Sequence, residues 1–174
     1  TNKYWFITKL FYNSFRTLRF ISKHPSVKFG YYGAIIKYLR WHIVKRFLDY
    51  PKHIIILKNV KFFLDSSFSQ SSGLFYVGLV EYKNLSLLLA YLKEDEIFCD
   101  VGANIGTYSV ILSKINKCKS ICFEPDLNCY NQLNRHIDAN KLESKVTAEN
   151  MICSENNIEK SFFSGKDTLG SIDL

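Results

Sequence analysis

The sequence predicts an α/β fold built on a parallel, doubly wound sheet, and three features predict it. Short β-rich runs alternate with helical runs between Glu96 and Ile152, the order that produces parallel strands joined by crossover helices. The first of those strands runs into an acid and then a glycine loop, in the stretch FCDVGANIGTYSVIL from Phe98 to Leu112. The second strand ends in another acid, Glu124. At 174 residues, 47% hydrophobic and 22% charged, the chain has the size and composition of one domain with a real core.

From Tyr4 to about Ser22, Phe6, Leu10, Phe11, Ser14, Phe15, Leu18 and Ile21 recur near helical spacing, which predicts an amphipathic helix. The stretch KHPS at Lys23–Ser26 ends it, because Pro25 disfavours helix at the preceding residue. A second helix is expected from about Gly33 to Leu48, with Ile36, Leu39, Ile43, Val44 and Phe47 on its apolar face. His53–Asp65 is rich in β-branched and aromatic residues and reads as a strand or hairpin. The polar run SSFSQSSG, Ser66–Gly73, reads as a loop, and it divides the chain into a basic aromatic N-terminal region, residues 1–65, and an α/β part, residues 66–174. LSLLLAYL, residues 85–92, reads as a short buried helix.

The remaining elements keep a tighter rhythm. Strands are expected at Glu96–Val101, Ser120–Glu124 and Lys145–Ile152, with helices at Thr107–Ile115 and Leu127–Asn140 between them. A further strand is expected at Ile158–Phe163, after the turn SENN.

Charge is unevenly spread. Residues 1–50 hold ten Lys/Arg and one acid, a net +9, whereas residues 51–174 hold thirteen Lys/Arg and fifteen acids, a net −2. With its aromatic residues, the first segment suits peripheral contact with an anionic membrane surface; a solvated helical face is the plainer reading. No nucleic-acid motif accompanies it, so no nucleic acid is expected. No apolar run reaches the length of a membrane-spanning helix. Lys9, Asn13, Arg16 and Arg19 interrupt any secretory leader. The chain opens on Thr1 rather than Met, which suits an excised or processed piece. Five cysteines without a CxxC pair speak against a disulfide scaffold or zinc site and fit a cytoplasmic location. Cys99 and Cys122 lie in apolar runs and are expected to be buried thiols. His24, His42, His53 and His136 have no metal-ligand spacing.

The glycine loop carries the chemistry. Ligands of a doubly wound sheet bind at the carboxyl ends of its strands. Gly102 and Gly106 lie just past the first strand, and Glu124 comes eighteen residues after Gly106, about where an acid grips the ribose hydroxyls of an adenosine. A dinucleotide loop needs room for a pyrophosphate. Here Asn104 stands at the middle glycine position of the dinucleotide pattern, and Asp100 repels phosphate. S-adenosylmethionine has a sulfonium and an ammonium group and no phosphate, so an acid at the strand end favours it over NAD. A purely structural glycine turn is the bland alternative; the coincidence of Asp100, Gly102, Gly106 and Glu124 with the strand–helix rhythm is what speaks for a cofactor. Asn150 reads as either an adenine neighbour or a turn residue, and Ser109 as either a cofactor contact or a helix cap. Tyr76 and Glu81 precede the core and read first as a packed aromatic and a solvated acid, with closure over the methionine end of the cofactor as the alternative.

EDEIFCDVGANIGTYSVILSK and SICFEPDLNCYNQLNRHIDAN resemble the FkbM-type family of S-adenosylmethionine-dependent methyltransferases. The resemblance implies a Rossmann-like class I methyltransferase fold, truncated at its C-terminal end, with a helical basic N-terminal extension. By carry-over, Asp100, Gly102, Asn104 and Gly106 line the methionine end of the cofactor and Glu124 holds its ribose. It also implies a sugar or glycan acceptor methylated on a hydroxyl. The family continues past the point at which GSIDL ends this chain, so no catalytic residue is assigned. The alternative is a non-catalytic module of the same fold, acting through its basic helices.

Overall fold

The computed structural model describes residues 2–27, 30–47, 52–57, 59–65, 67–155, 162–163 and 171–172. Two helices open the chain, α1 (Asn2–Lys23) and α2 (Gly30–Phe47), packed on each other. The chain turns at Pro25 after α1, held by His24 N–H to Ile21 O (3.1 Å) and Val27 N–H to His24 O (3.0 Å). The face expected to be buried on α2 is the wrong one: Ile36, Leu39 and Ile43 are exposed, and Ala34 and Trp41 are buried instead. Aromatic contact decides the orientation. Trp41 lies 5.0 Å from the Phe75 ring and 6.1 Å from that of Tyr76, and Tyr38 stacks on Tyr76 at 6.3 Å. Such rings bury more area than the aliphatic side chains they displace. The side chains of Val44 and Phe47 lie outside the described residues.

The strand-or-hairpin segment is a hairpin of β1 (Lys52–Ile56) and β2 (Val60–Leu64), antiparallel from Lys52↔Leu64 to Ile56↔Val60. Its turn includes Asn59 at φ 84°, a left-handed conformation that asparagine tolerates. Val60, Phe62 and Leu64 alternate into the core.

The expected polar loop is largely a helix, α3 (Ser69–Val77). Serines make poor interior helix residues, but burial of Leu74, Tyr76 and Val77 outweighs that preference. Ser71 is buried too, its hydroxyl oxygen accepting from the Asp65 N–H (3.2 Å). Next comes α4 (Tyr82–Tyr91). It is helical as expected but not buried: Leu85 is in the core, whereas Leu87 and Tyr91 face solvent.

The α/β core comprises β3 (Ile97–Val101), α5 (Thr107–Ile115), β4 (Lys119–Phe123), α6 (Leu127–Asn140) and β5 (Val146–Glu149). The strands form a parallel sheet in the order β3-β4-β5, with Asp100 opposite Cys122 and Phe123 opposite Glu149. Ser120, Cys122 and Val146 are buried on the helix-covered face. The other face exposes Ile97 (61%), Val101 (62%) and Ile121. Cys99 lies on that bare side and is exposed, against expectation, while Cys122 is buried. β6 (Phe162–Phe163) pairs antiparallel with β7 (Ser171–Ile172) in a separate ladder rather than joining the parallel sheet; residues 158–161 of the expected strand lie outside the described ones.

The hairpin is fastened to the α/β core by a buried polar group. Phe63 N–H donates to His136 Nε2 (3.0 Å), and His136 Nδ1–H donates in turn to Ile105 O (2.8 Å). Asn140 adds a pair of bonds to the backbone of Lys61, at 2.8 Å each. One imidazole and one carboxamide thus connect β2, α6 and the glycine loop.

Candidate cofactor site

The site is built at the carboxyl end of the parallel sheet, where β3 gives way to α5. The chain reverses there through three left-handed residues: Gly102 (φ 78°), Asn104 (φ 52°) and Gly106 (φ 81°). Gly102 N–H and Ala103 N–H both donate to Phe123 O, at 2.8 and 3.1 Å, which pins the loop to the end of β4. A side chain at Gly102 would meet nothing within 4 Å, so open space lies over the loop at this point. Gly106 differs. Buried at the start of α5, it has no room for a Cβ, which would collide with Leu133 of α6. Its missing side chain lets two helices approach, and that packing role is what the structure gives it.

Glu124 is buried and both its oxygens are engaged. Oε2 accepts from Asn104 N–H (2.7 Å) and Oε1 from Asp126 N–H (2.8 Å). The acid expected to hold a ribose therefore also clamps the loop. A carboxylate has about four acceptor positions, so each oxygen keeps one for a ligand hydroxyl. Asn104 turns its own side chain back, Oδ1 accepting from Ile105 N–H (2.9 Å). Asp100 accepts a short hydrogen bond from the Ser109 hydroxyl, which assigns Ser109 to that carboxylate. Asn150 donates to Glu124 O (2.8 Å) and Pro125 O (3.1 Å), fixing the turn after β4.

The electrostatics favour a cation. Burial raises the Asp100 carboxyl above its ordinary value, and the Ser109 hydrogen bonds oppose that rise. Burial likewise raises Glu124, against the backbone donors Asp126 and Asn104, and the negative Asp126 and Asp100 add to the rise. An acid raised by neighbouring acids, as Glu124 is, is relieved by a positive ligand.

Two neighbours of the site were underrated in the sequence. Glu81 Oε2 accepts from the Tyr108 hydroxyl at 2.5 Å, so the acid ahead of α4 reaches the first turn of α5. Burial first, then the Glu81 hydrogen bond, pushes the Tyr108 phenol up to about 12. Asp126 caps α6 by accepting from Asn128 N–H and Cys129 N–H, at 2.9 Å each. An Asp directly before a helical run is a readable N-cap signal; the Glu81–Tyr108 contact spans 27 positions and has no local signal. Among the described residues no group of His, Cys, Asp and Glu is placed to hold a metal ion.

Over 72 residues, 41% of its length, the chain is 31% identical to a tRNA (guanine(37)-N(1))-methyltransferase of Dictyostelium discoideum. This chain is similar to methyltransferases. The match takes in 15% of the Dictyostelium protein, so the chain spans a small part of its relative's length. Among solved structures, a candidate transferase of Pyrococcus horikoshii aligns with a TM-score of 0.49 and 26% identity, over 59% of this chain and 36% of that one. TYW2 of the same organism, in complex with MeSAdo, aligns at 0.46 and 25%, over 59% and 37%. No family model matches the chain, and the FkbM-type resemblance rests on the quoted motifs.

Proposed function

We propose that the chain binds S-adenosylmethionine over the β3–α5 loop and forms the cofactor-binding part of a methyltransferase. The observation that carries this reading is the open space over Gly102, on the loop that Glu124 clamps and two residues from the half-buried acid Asp100. A glycine there lets a ligand approach the loop backbone closely. Bound S-adenosylmethionine would supply an activated methyl group. Asp100 faces its cationic end, directly or through water, and the free acceptor positions of Glu124 hold its ribose hydroxyls. What the protein adds is orientation.

The acceptor belongs to the proposal as well. The FkbM-type motifs favour a sugar hydroxyl. The Dictyostelium relative is named for a guanine of tRNA, so the expectation that nucleic acid plays no part is given up; a missing motif was too weak a ground for it.

Calorimetry tests the cofactor. S-adenosylmethionine or its demethylated product should bind more tightly than NAD. Glu124→Ala should cost about 1.5–3 kcal/mol of that affinity, since charge-assisted hydrogen bonds are lost. Tighter NAD binding by the parent chain, or unchanged affinity in a folded Glu124→Ala variant, would refute the reading. Cofactor binding without transfer to any acceptor would point to the non-catalytic alternative.

A further inference from the structure

A cavity of about 1120 Å³ lies between α1, the turn after it, α3 and α4. Its lining includes none of Asp100, Gly102, Asn104, Gly106 and Glu124, and it carries a different chemistry. Arg16, Arg19 and Lys23 line one wall at helical spacings of three and four, so they share a face of α1. Lys83 of α4 stands in the lining with them. Among the described residues none of these four cations is ion-paired. Aromatic rings share the cavity: Phe20, Trp41, Tyr76 and Tyr82.

Between the rings sits His24, its centroid 6.0 Å from both Phe20 and Tyr82. His24 is buried, and its Nδ1 is engaged by Ser26 Oγ at 2.8 Å, which itself donates to Val77 O at 2.6 Å. Its Nε2 is buried with no partner, and the residue lines the cavity. A buried ring nitrogen without a partner is costly, and a polar group of a ligand bound here would supply one. The single carboxylate in the lining, Glu81, is held by Tyr108 (2.5 Å) and Asn84 (3.2 Å). Tyr108 stands in the first turn of α5, just past the glycine loop, so its bond to Glu81 ties the cavity wall to the helix that follows that loop.

We propose that the cavity binds a nucleoside diphosphate, with the phosphates on Arg16, Arg19, Lys23 and Lys83 and the base among the aromatic rings. Guanidinium groups suit phosphate oxygens and aromatic faces suit a planar base. The volume exceeds the roughly 300–1,000 Å³ usual for small-molecule sites, leaving room for a group carried on the diphosphate. That carried group would be the methyl acceptor, an assignment that rests on the methyltransferase reading; the binding itself does not.

The test is calorimetry of the chain with a panel of nucleoside diphosphates, inorganic pyrophosphate, a single-stranded RNA oligomer and anionic vesicles. At least one nucleoside diphosphate should bind about tenfold or more tightly than pyrophosphate, because only the former can stack. Arg16→Ala combined with Arg19→Ala should weaken it by about tenfold or more and leave S-adenosylmethionine affinity unchanged. Both arginines are exposed, so the variant keeps the fold. Binding of pyrophosphate and nucleotide alike, of RNA or vesicles in place of free nucleotide, or of nucleotide undiminished in the double variant would each overturn the proposal. If nucleotide binds and S-adenosylmethionine does not, the cofactor reading fails while the cavity assignment stands.

Discussion

His136 shows what one side chain does in this molecule. It is fully buried, accepts from Phe63 N–H and donates to Ile105 O. Burial lowers its pKa from 6.5 to about 4, partly opposed by its backbone hydrogen bonds at Ile105 and Phe63. The folded chain therefore keeps a neutral ring where the unfolded chain takes up a proton. Between pH 6.5 and 4 the unfolded state binds more protons, so stability is full above 6.5 and falls as the pH drops toward 4. The loss is on the order of 3 kcal/mol at the acid end. Asp100 and Glu124, raised by burial, act in the opposite sense: each favours the folded state at acid pH and loses that contribution as the pH rises through its folded value. Urea unfolding of the parent and of His136→Gln at pH 7 and 4.5 separates the effects. The variant should be less stable at pH 7, and the gap should narrow at pH 4.5. A gap independent of pH would mean that His136 contributes by packing alone.

At the scale of elements, α1 and α2 stand out for what they leave uncovered. Tyr12, Phe15, Tyr31, Ile36, Leu39 and Ile43 are exposed, and Tyr32 is 80% exposed. Arg16, Arg19 and Arg40 are exposed on the same two helices. Charge together with exposed rings suits the surface of an anionic bilayer. No described helix is long and apolar enough to cross one. We expect the chain to sediment with anionic liposomes and not with neutral ones, and to be released as salt screens the attraction. Equal partition to both, or to neither, would return these helices to the plain role of a solvated face.

At the scale of the whole molecule, the parallel sheet is covered on one side among the described residues. Among the described residues β3 pairs only with β4, and Ile97, Val101 and Ile121 are exposed across the bare face. Each Å² of such apolar surface costs roughly 25 cal/mol in water, and an open strand edge invites pairing with another chain. The chain by itself should therefore self-associate and bind the dye ANS. Replacing the three residues together, as Ile97→Thr, Val101→Thr and Ile121→Thr, should lower light scattering and dye fluorescence while far-ultraviolet circular dichroism is kept, because threonine also favours strand. Scattering that does not change would place the sticky surface elsewhere, with α1 and α2 the first candidates.

Local rules were enough for much of the architecture. The bounds of α5 and α6 match the sequence reading, Thr107–Ile115 and Leu127–Asn140, since a glycine loop and an Asp cap mark their starts and apolar periodicity carries them through. The strand–helix order implied the parallel sheet, and the left-handed positions at Gly102 and Gly106 come from residue type. Tertiary contact decided the rest. It turned a serine-rich run into α3, rotated α2 onto Trp41 and left Cys99 on an open face. It gave Glu124 a structural task beside the one inferred for it, and it joined Glu81 to Tyr108 across 27 positions. The division has one physical cause. Backbone preference and side-chain period act over a few neighbouring residues and are written in their order, whereas burial and hydrogen-bond pairing depend on which distant residues the fold brings together.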